Sequence, residues 1–283
     1  MAQRIVITGA GGLVGRVLAG QARTQGRDVQ TFSSSEWDIT AGGDDHVSPG
    51  DVVVNCAAFT KVDLAEDEPD RAHAVNVTGA ANVARVCAQA GASLIHLSTD
   101  YVFSGSFGSG PPRRYDIDDQ TGPQSVYGRT KLLGEQAVLA ALPSAHVVRT
   151  AWVYEGGDGT DFVAGIRCAA AASDTVDVVA DQIGSPTYVG DLCDALLQIA
   201  DGAVRGPVLH AANDGAVSRF EQAQAVYAVL GADPDLVRPV GTDRHPRPAP
   251  RPAYSALSAE GSARAGLTPL RDWRAALAEA LSR

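Results

Sequence analysis

The stretch Ile5-Val6-Ile7-Thr8-Gly9-Ala10-Gly11-Gly12-Leu13-Val14-Gly15 decides the fold. An apolar run leads directly into glycines at Gly9, Gly12 and Gly15, spaced G-x-x-G-x-x-G. In such a motif the first glycine allows the turn from strand to helix, the second lets the backbone approach a pyrophosphate, and the third lets helix and strand pack closely. The N–H groups at the start of the helix then face the anion. Because the motif follows the first apolar run of the chain, it predicts a dinucleotide-binding fold rather than an ordinary glycine-rich turn.

Short apolar runs alternate with longer helical patterns along the rest of the chain. The runs predict strands at 4–8, 29–32, 52–55, 94–98, 147–150, 176–179 and 208–211. The helical patterns lie at about 13–25, 70–90, 125–141, 161–172, 190–201, 218–230 and 271–282. Continuous Val/Ile/Leu runs are typical of strands buried on both faces, and this alternation favours a parallel sheet between two layers of helices. The predicted class is therefore α/β, a Rossmann-type doubly wound parallel sheet with a smaller C-terminal substrate-binding lobe.

The regular alternation ends near residue 150, which suggests a division of the chain. We expect residues 1–150 to form an NAD(P)-binding Rossmann domain and residues 151–283 to form mainly a substrate-binding lobe. A strand near 207–212 is expected to return to the main sheet. Residues 104–112 are rich in Gly, Ser and Pro and predict a surface loop, while residues 243–252 are rich in Pro and Arg and predict an extended segment.

Composition excludes several classes of protein. The formal net charge of −10 over 283 residues argues against a nucleic-acid partner, because phosphate binding requires a basic face. The four cysteines form no CxxC pair, which favours buried thiols in a reducing compartment. No stretch approaches the roughly 20 apolar residues of a membrane span, and the N-terminus lacks the apolar region of a signal peptide. We therefore expect a cytoplasmic protein without membrane contact.

A tyrosine and a lysine on one predicted helix are candidate catalytic residues. Tyr127 and Lys131 are spaced i, i+4 and so share a helix face. A nearby ammonium would favour the phenolate and bring the pKa of Tyr127 towards working pH. A hydroxyl at the end of the strand at 94–98 would face the ligand crevice, with Thr99 as the first candidate and Ser98 as its competitor.

The end of the second predicted strand bears on cofactor choice. NAD enzymes often carry an acid here for the ribose 2′-OH, but this chain has Ser33 and Ser34, with no carboxylate before Glu36. These hydroxyls, with the guanidinium of Arg16, could receive a 2′-phosphate, so we expect NADPH to be used and NADH to be a possible alternative. The competing interpretation is that the serines only form a polar turn.

Further cofactor contacts are expected around the glycine motif. Asp38 and Ile39 could lie beside the adenine, and the small residues Ala57 and Ala58 permit close approach of the cofactor backbone. The full set of predicted cofactor-binding residues is Gly9, Gly12, Leu13, Val14, Gly15, Arg16, Ser33, Ser34, Asp38, Ile39, Ala57, Ala58, Thr60, Tyr127 and Lys131. Trp152 could offer a flat apolar surface to a sugar ring, although a tryptophan of the core is the alternative.

With these residues in place, the chain resembles the extended short-chain dehydrogenase/reductases, and among them the dTDP-4-dehydrorhamnose reductase family. The resemblance covers nearly the whole chain. Beside the glycine motif and the Tyr127–Lys131 pair, it rests on T-x-V-D-x-A-E at 60–66, STDYVF at 98–103, RTAWVY at 149–154, DQIGSPT at 181–187 and RPAYSAL at 251–257.

The resemblance implies reduction by NAD(P)H of the C4 keto group of dTDP-4-dehydro-β-L-rhamnose, which gives dTDP-L-rhamnose. It implies that Thr99, Tyr127 and Lys131 are catalytic. It also implies contacts to the substrate, with Asp100, Tyr101 and Trp152 at the deoxysugar, Thr60 and Val62 nearby, and Arg251 near the nucleotide diphosphate.

The chain departs from the family at a metal-linked interface. Some members form a dimer through Mg²⁺ and interface glutamates, but Gly190 stands where one carboxylate is expected, and Asp191 is shorter and shifted by one position. No cluster of metal ligands is evident, so we expect a monomer, with a homodimer as the alternative and the role of Mg²⁺ open. Two other functions remain open, namely another nucleotide-sugar 4-ketoreductase or epimerase, and a non-catalytic regulatory subunit. The intact Thr99, Tyr127 and Lys131 argue against the last.

Overall fold

The computed structural model describes residues 3–42, 46–157 and 159–282. In chain order the strands are β1 Ile5–Thr8, β2 Val29–Phe32, β3 Val52–Asn55, β4 Ser93–Thr99, β5 His146–Thr150, β6 Val153–Tyr154, β7 Val176–Val179, β8 Ile183–Gly184, β9 Thr187–Tyr188, β10 Val208–His210, β11 Val217–Ser218 and β12 Val237–Val240. The α-helices are α1 Leu13–Thr24, α2 Leu64–Asp67, α3 Pro69–His73, α4 Ala80–Ala90, α5 Val126–Ala141, α6 Phe162–Ala172, α7 Val189–Ala200, α8 Arg219–Val229, α9 Glu260–Arg264 and α10 Trp273–Ser282. A π-helical segment, Ala74–Gly79, joins α3 to α4, and short 3₁₀ turns occupy Asp100–Val102, Pro234–Leu236 and Thr242–Arg244.

The central sheet has six strands in the order β10-β5-β4-β3-β1-β2, and every neighbouring pair is parallel. The chain leaves β1 towards β2 on one side and continues from β3 on the other, so the strand order reverses between β1 and β3. In open parallel sheets the ligand crevice lies outside the carboxyl ends of the strands at such a reversal. Thr8, Asn55 and Thr99 end three adjacent strands at this edge.

Alternate residues of the central strands feed two separate cores. Ile5 and Ile7 of β1 belong to a core that includes residues of α1 and α7, whereas Val6 belongs to a core that includes residues of α4 and α5. Val52 and Val53 of β3 divide in the same way. The continuous apolar runs are therefore buried on both faces, as the sequence predicts.

The predicted strands and helices are confirmed to within a few residues. Residues 208–210 return to the main sheet, where Val208 pairs with Val147 of β5. The strand at 176–179 also forms, but it pairs with β12 outside the main sheet. Residues 104–112 form an irregular loop as predicted, while the segment at 243–252 begins inside the 3₁₀ turn at Thr242–Arg244 rather than being extended throughout.

Residues from the second half of the chain pack against the first half and complete its core. Helix α7 packs against α1, and its buried residues Leu192 and Leu196 join the core beneath β1. One prediction on the thiols is wrong, because Cys168 on α6 is exposed, although Cys87 and Cys193 are buried. In the described part of the chain, no helix is both long enough and apolar enough to span a membrane.

Candidate active site

The turn between β1 and α1 requires its glycines. Gly9 has φ +66°, and a Cβ there would lie 2.6 Å from the backbone nitrogen of Ala57. A Cβ at Gly15 would lie 2.6 Å from the carbonyl oxygen of Gly9. The turn therefore packs directly on the chain that leaves β3, and its open side faces the crevice at the end of the sheet.

A cleft of about 670 Å³ opens at this edge of the sheet. It is lined by all but one of the predicted cofactor residues, namely Gly9, Gly12, Leu13, Val14, Gly15, Ser33, Ser34, Asp38, Ile39, Ala57, Ala58, Thr60, Tyr127 and Lys131. Residues that the sequence did not single out, including Trp37, Phe59, Arg71 and Val75, complete the wall. A turn that excludes side chains and a cleft of this size fit a dinucleotide.

Arg16 is the exception among the predicted cofactor residues. Its guanidinium pairs with Glu155 at 2.6 Å and does not line the cleft. The carboxylate that attracts it follows β6, far along the chain, so the sequence around the glycine motif gave no sign of this pairing.

The end of β2 also differs from expectation. Glu36 folds back so that its carboxylate accepts hydrogen bonds from the backbone N–H and the hydroxyl of Ser33, both at 2.7 Å. These hydrogen bonds lower the pKa of Glu36. Ser33 is therefore already engaged with an anion in this structure, which was not expected from the absence of an acid at the strand end. Asp38 similarly accepts from the N–H and hydroxyl of Thr40.

Helix α5 brings Tyr127 and Lys131 to the end of β4. The hydroxyl of Ser125 caps the helix by accepting from the N–H of Gly128. Gly128 lies against the carbonyl of Tyr101, and Gly134 lies against the carbonyl of Asn76, where a Cβ would overlap either oxygen. This close approach seats the helix on the Asp100–Val102 turn and on the π-helical segment.

The half-buried Tyr127 has its phenol next to Thr99 and Tyr101. Burial raises its pKa, and a hydrogen bond with Thr99 opposes that shift. The ring of Tyr101 meets it edge-on, with centroids 5.7 Å apart. Ser98, the competitor of Thr99, instead donates to Glu135 at 2.5 Å.

Lys131 does not act on Tyr127 as the sequence suggested. Its ammonium donates to the carbonyl oxygen of Leu97 at 2.7 Å, and burial lowers its pKa to about 8, opposed by the charge of Glu135. The charged or ionisable neighbours that shift the phenol are Asp100 and Tyr101, and both raise its pKa. The charge of Lys131 therefore does not lower the pKa of Tyr127 in this structure.

A buried ion pair lies beneath the lysine. Glu135, one helical turn after Lys131, receives Nε and Nη2 of Arg149 at 3.0 and 2.8 Å. Both side chains are almost fully buried, at 4% and 6% exposure. This pair joins α5 to β5 directly behind the candidate catalytic residues.

The predicted sugar contacts lie around the Asp100–Val102 turn. Asp100 is buried, accepts from Ser255 at 2.5 Å and from Thr99 at 3.0 Å, and burial raises its pKa to about 6. Arg251 hydrogen-bonds the side chain of Tyr101 and pairs with Asp63, with one Nη2–Oδ2 distance of 2.9 Å. Thr60 lines the cleft, whereas the half-buried Val62 does not.

Trp152 has features both of a residue that contacts a sugar ring and of a core tryptophan. It is half-buried, packs against the core that contains Phe103 and Tyr115, and has a backbone φ of +47°. A non-glycine residue in this region is unusual and is often found at functional sites. The guanidinium of Arg219 lies 3.6 Å from the centroid of its ring. Arg219 and Ser255 are the residues that sequence reasoning missed here.

Comparison with known proteins identifies the family of this chain. The model of the RmlD substrate binding domain family matches residues 3–283. The chain belongs to this family. A dTDP-4-dehydrorhamnose reductase of Mycolicibacterium smegmatis is 63% identical over 100% of this chain and 86% of its own length, and one of Mycobacterium tuberculosis H37Rv is 60% identical over 99% and 93%.

Solved structures agree with this membership of the RmlD family. A dTDP-4-dehydrorhamnose reductase of Clostridium acetobutylicum superposes with a TM-score of 0.90 at 35% identity, covering 99% of both chains. A Bacillus anthracis dTDP-4-dehydrorhamnose reductase, solved in complex with NADP, gives 0.90 at 34% identity over 99% of this chain and 98% of that one. The Rossmann-type fold of this RmlD-family chain is therefore shown.

In this RmlD-family chain, the residues near the position of the metal-linked interface of some members contact other residues of the same chain. Asp191 receives Nη2 of Arg271 at 2.7 Å and the side-chain amide of Asn213 at 2.7 Å. Gly190 lies against the ring of Tyr188, which leaves no room for a side chain unless the ring moves. Within the described ranges, no group of three or more His, Cys, Asp and Glu residues could hold a metal ion.

Proposed function

We propose that this protein reduces the C4 keto group of dTDP-4-dehydro-β-L-rhamnose to give dTDP-L-rhamnose. The observation that carries the proposal is that Tyr127 and Lys131 line the same cleft as the glycine turn, with Thr99 hydrogen-bonded to Tyr127. The relatives at 63% and 60% identity, which bear the name of this reductase, support the choice of substrate.

The described residues suit the reduction direction. A bound nicotinamide cofactor would supply the hydride that reaches C4. Tyr127 donates its phenolic proton to the ketone oxygen, and its raised pKa keeps the phenol protonated at neutral pH. Thr99 orients the phenol through their hydrogen bond. Lys131, held by the carbonyl of Leu97, lines the cleft where it would bind the ribose hydroxyls of the cofactor.

We propose NADPH as the preferred cofactor and NADH as an accepted one. The relative with NADP bound supports this choice, and Ser33 and Ser34 line the cleft. The carboxylate of Glu36 on Ser33 opposes it, because it would repel a 2′-phosphate unless it swings away. Glu36→Gln is therefore expected to raise the ratio of kcat/KM for NADPH over NADH, and an unchanged ratio would place the 2′-phosphate elsewhere.

The proposal also takes the protein as a monomer that acts on a nucleotide sugar. The hydrogen bonds of Asp191 to Arg271 and Asn213 support this, because they already engage the carboxylate nearest to the expected metal-linked interface.

The test follows absorbance at 340 nm with NADPH, and separately NADH, after addition of dTDP-4-dehydrorhamnose. We expect cofactor consumption with dTDP-L-rhamnose as the product. Tyr127→Phe should reduce kcat by about 100-fold or more with cofactor binding retained, because it removes a general acid. Tyr154→Phe is the matched control, since the Tyr154 hydroxyl is buried without a hydrogen-bond partner in the described structure.

Other outcomes distinguish the alternatives. A different reduced sugar would indicate another 4-ketoreductase, and conversion without net cofactor consumption would indicate an epimerase. A folded protein that binds cofactor but turns over none of these substrates would favour the regulatory subunit. Normal turnover by Tyr127→Phe would show that the acid is misassigned.

A further inference from the structure

Arg219 is a half-buried cation with no carboxylate partner among the described residues. It begins α8, and its guanidinium lies over the ring of Trp152 at 3.6 Å and that of Phe162 at 4.8 Å. Its Nη1 donates to the neutral side chain of Gln222 at 3.2 Å. Burial lowers its pKa to about 10, so the group remains charged at neutral pH.

Arg251, the other candidate at this site, has its charge already matched. Arg251 makes a two-point ion pair with Asp63, and Arg247 lies 3.7 Å from the same carboxylate. A guanidinium bound in this way has fewer donors and less net charge to offer a second anion. Of the two arginines, Arg251 has a carboxylate in direct contact, whereas Arg219 has none among the described residues.

The position of Arg219 relates it to the predicted sugar site. Its charge acts on Asp100 and Tyr101, and it covers one side of Trp152, so it lies on the same wall as the three predicted sugar contacts. Asp100 lies close enough for its charge to raise the pKa of Arg219, but the two side chains form no ion pair in the described structure, where the Asp100 oxygens accept from Thr99 and Ser255.

The surrounding structure holds this guanidinium in place before any ligand arrives. Trp152 keeps its indole beneath it with a left-handed backbone, and Gly184 is close enough that a Cβ would overlap the indole. The start of α8 is fixed by a capping box between Ser218 and Glu221. A cation fixed by stacking loses little conformational entropy on binding, and its planar donors match the oxygens of a phosphate.

We infer that Arg219 binds the diphosphate of the nucleotide sugar, a role that the family resemblance implied for Arg251. This inference rests on the proposed function for the presence of a diphosphate in the substrate. Burial of an unpaired cation is unfavourable, and an anionic ligand would relieve that cost when it occupies the site. Arg251 is then a positioning residue, which orders Asp63 and Tyr101.

The experiment compares two ligands that differ only in the diphosphate. Isothermal titration measures the Kd of dTDP and of thymidine for the wild type, Arg219→Gln, Arg251→Gln and the exposed control Arg205→Gln. We expect the wild type and Arg205→Gln to bind dTDP more tightly than thymidine. Arg219→Gln should weaken dTDP binding about tenfold to a hundredfold, the range for hydrogen bonds to charged groups, with thymidine binding unchanged.

The inference is overturned if Arg219→Gln keeps the wild-type preference for dTDP, above all if Arg251→Gln loses it. It is also overturned if the wild type binds thymidine as tightly as dTDP. Arg219→Lys is the second variant, which keeps the charge but not the planar fork. It should show an intermediate loss and guards against a folding defect, with thermal unfolding and NADPH binding of all variants as checks.

Failure of the proposed function is separable from failure of this inference. If Arg219 governs dTDP affinity but the wild type does not reduce the ketosugar, only the proposed reaction is wrong. If the reductase is active and Arg219→Gln has an unchanged KM for the nucleotide sugar, only the inference is wrong.

Discussion

Burial and hydrogen bonds raise the pKa of some residues in this site and lower that of others, and so determine which of them are charged at neutral pH. Burial raises the pKa of Tyr127 and of Asp100, the latter to about 6, and lowers that of Lys131 to about 8. Between these two values, Asp100 is mostly ionised, Lys131 is mostly charged and Tyr127 carries its proton. The proposed reduction requires that Tyr127 carry its proton.

A bell-shaped pH dependence of kcat/KM is therefore expected. Activity should fall below pH about 6 as Asp100 gains a proton, and above pH about 8 as Lys131 loses one. The measurement is kcat/KM for the nucleotide sugar across this range at constant ionic strength. Asp100→Asn should lose the acid limb while keeping the alkaline limb. A wild-type profile that is flat through both values would contradict the assignment.

The sequence predicted which residues reach the site where their spacing along a helix or strand determines their position. Tyr127 and Lys131 share a helix face by their i, i+4 spacing, and Thr99 follows a strand whose end must reach the crevice. Arg219 could not be predicted, because its position depends on a contact with Trp152 in a distant part of the chain. The return of Glu36 onto Ser33 was missed because it depends on a turn conformation and not on residue type.

The elements differ in how strongly the sequence specifies them. β1 and β3 are largely apolar runs, and these runs predicted the bounds of the two strands to within one residue. β6, β8, β9 and β11 have two residues each, which is too short for any hydrophobic period to be recognised. Tertiary pairing alone defines them, and β8 includes Gly184, which lies against Trp152.

Gly184→Ala tests that contact. The added Cβ would overlap the indole of Trp152, so the ring must move and the stack with Arg219 should be disturbed. We expect a lower Tm and weaker binding of the nucleotide sugar, with NADPH affinity nearly unchanged. The measurements are thermal unfolding and titration of both ligands.

Gly20→Ala is the matched control, since Gly20 is exposed in α1 with nothing within 4 Å of a Cβ. It should stabilise the protein by about 0.5–1 kcal/mol, the usual difference between Ala and Gly within a helix. If Gly184→Ala behaves like this control, the close approach of Trp152 to β8 is not important for the site.

At the scale of the whole molecule, the two halves of the sequence share the central sheet. β10 pairs with β5, and α7 covers the face beneath β1. The sequence indicated the returning strand but not the role of α7, because an amphipathic pattern does not identify which surface a helix covers. The predicted division at residue 150 therefore concerns which part binds the cofactor and which the substrate. It does not imply that either part folds independently.

A fragment of residues 1–150 should therefore fail to fold alone. It would leave the edge of β5 unpaired and would expose the apolar surface that Leu192 and Leu196 cover. Far-UV circular dichroism, gel filtration and NADPH titration of the fragment test this. A monomeric fragment that unfolds cooperatively and binds NADPH would contradict the prediction.

The three tryptophans lie in three different environments. Trp37 lines the cofactor cleft, Trp152 lies beneath Arg219, and Trp273 is buried at 2% exposure in the core against Gly215. Variants that each retain one of the three tryptophans would therefore allow the fluorescence of each site to be measured alone. Trp37 would report the arrival of the dinucleotide, Trp152 would report displacement of the guanidinium from its ring, and Trp273 would report only unfolding. The chain thus contains its own optical probes for the order in which two ligands bind.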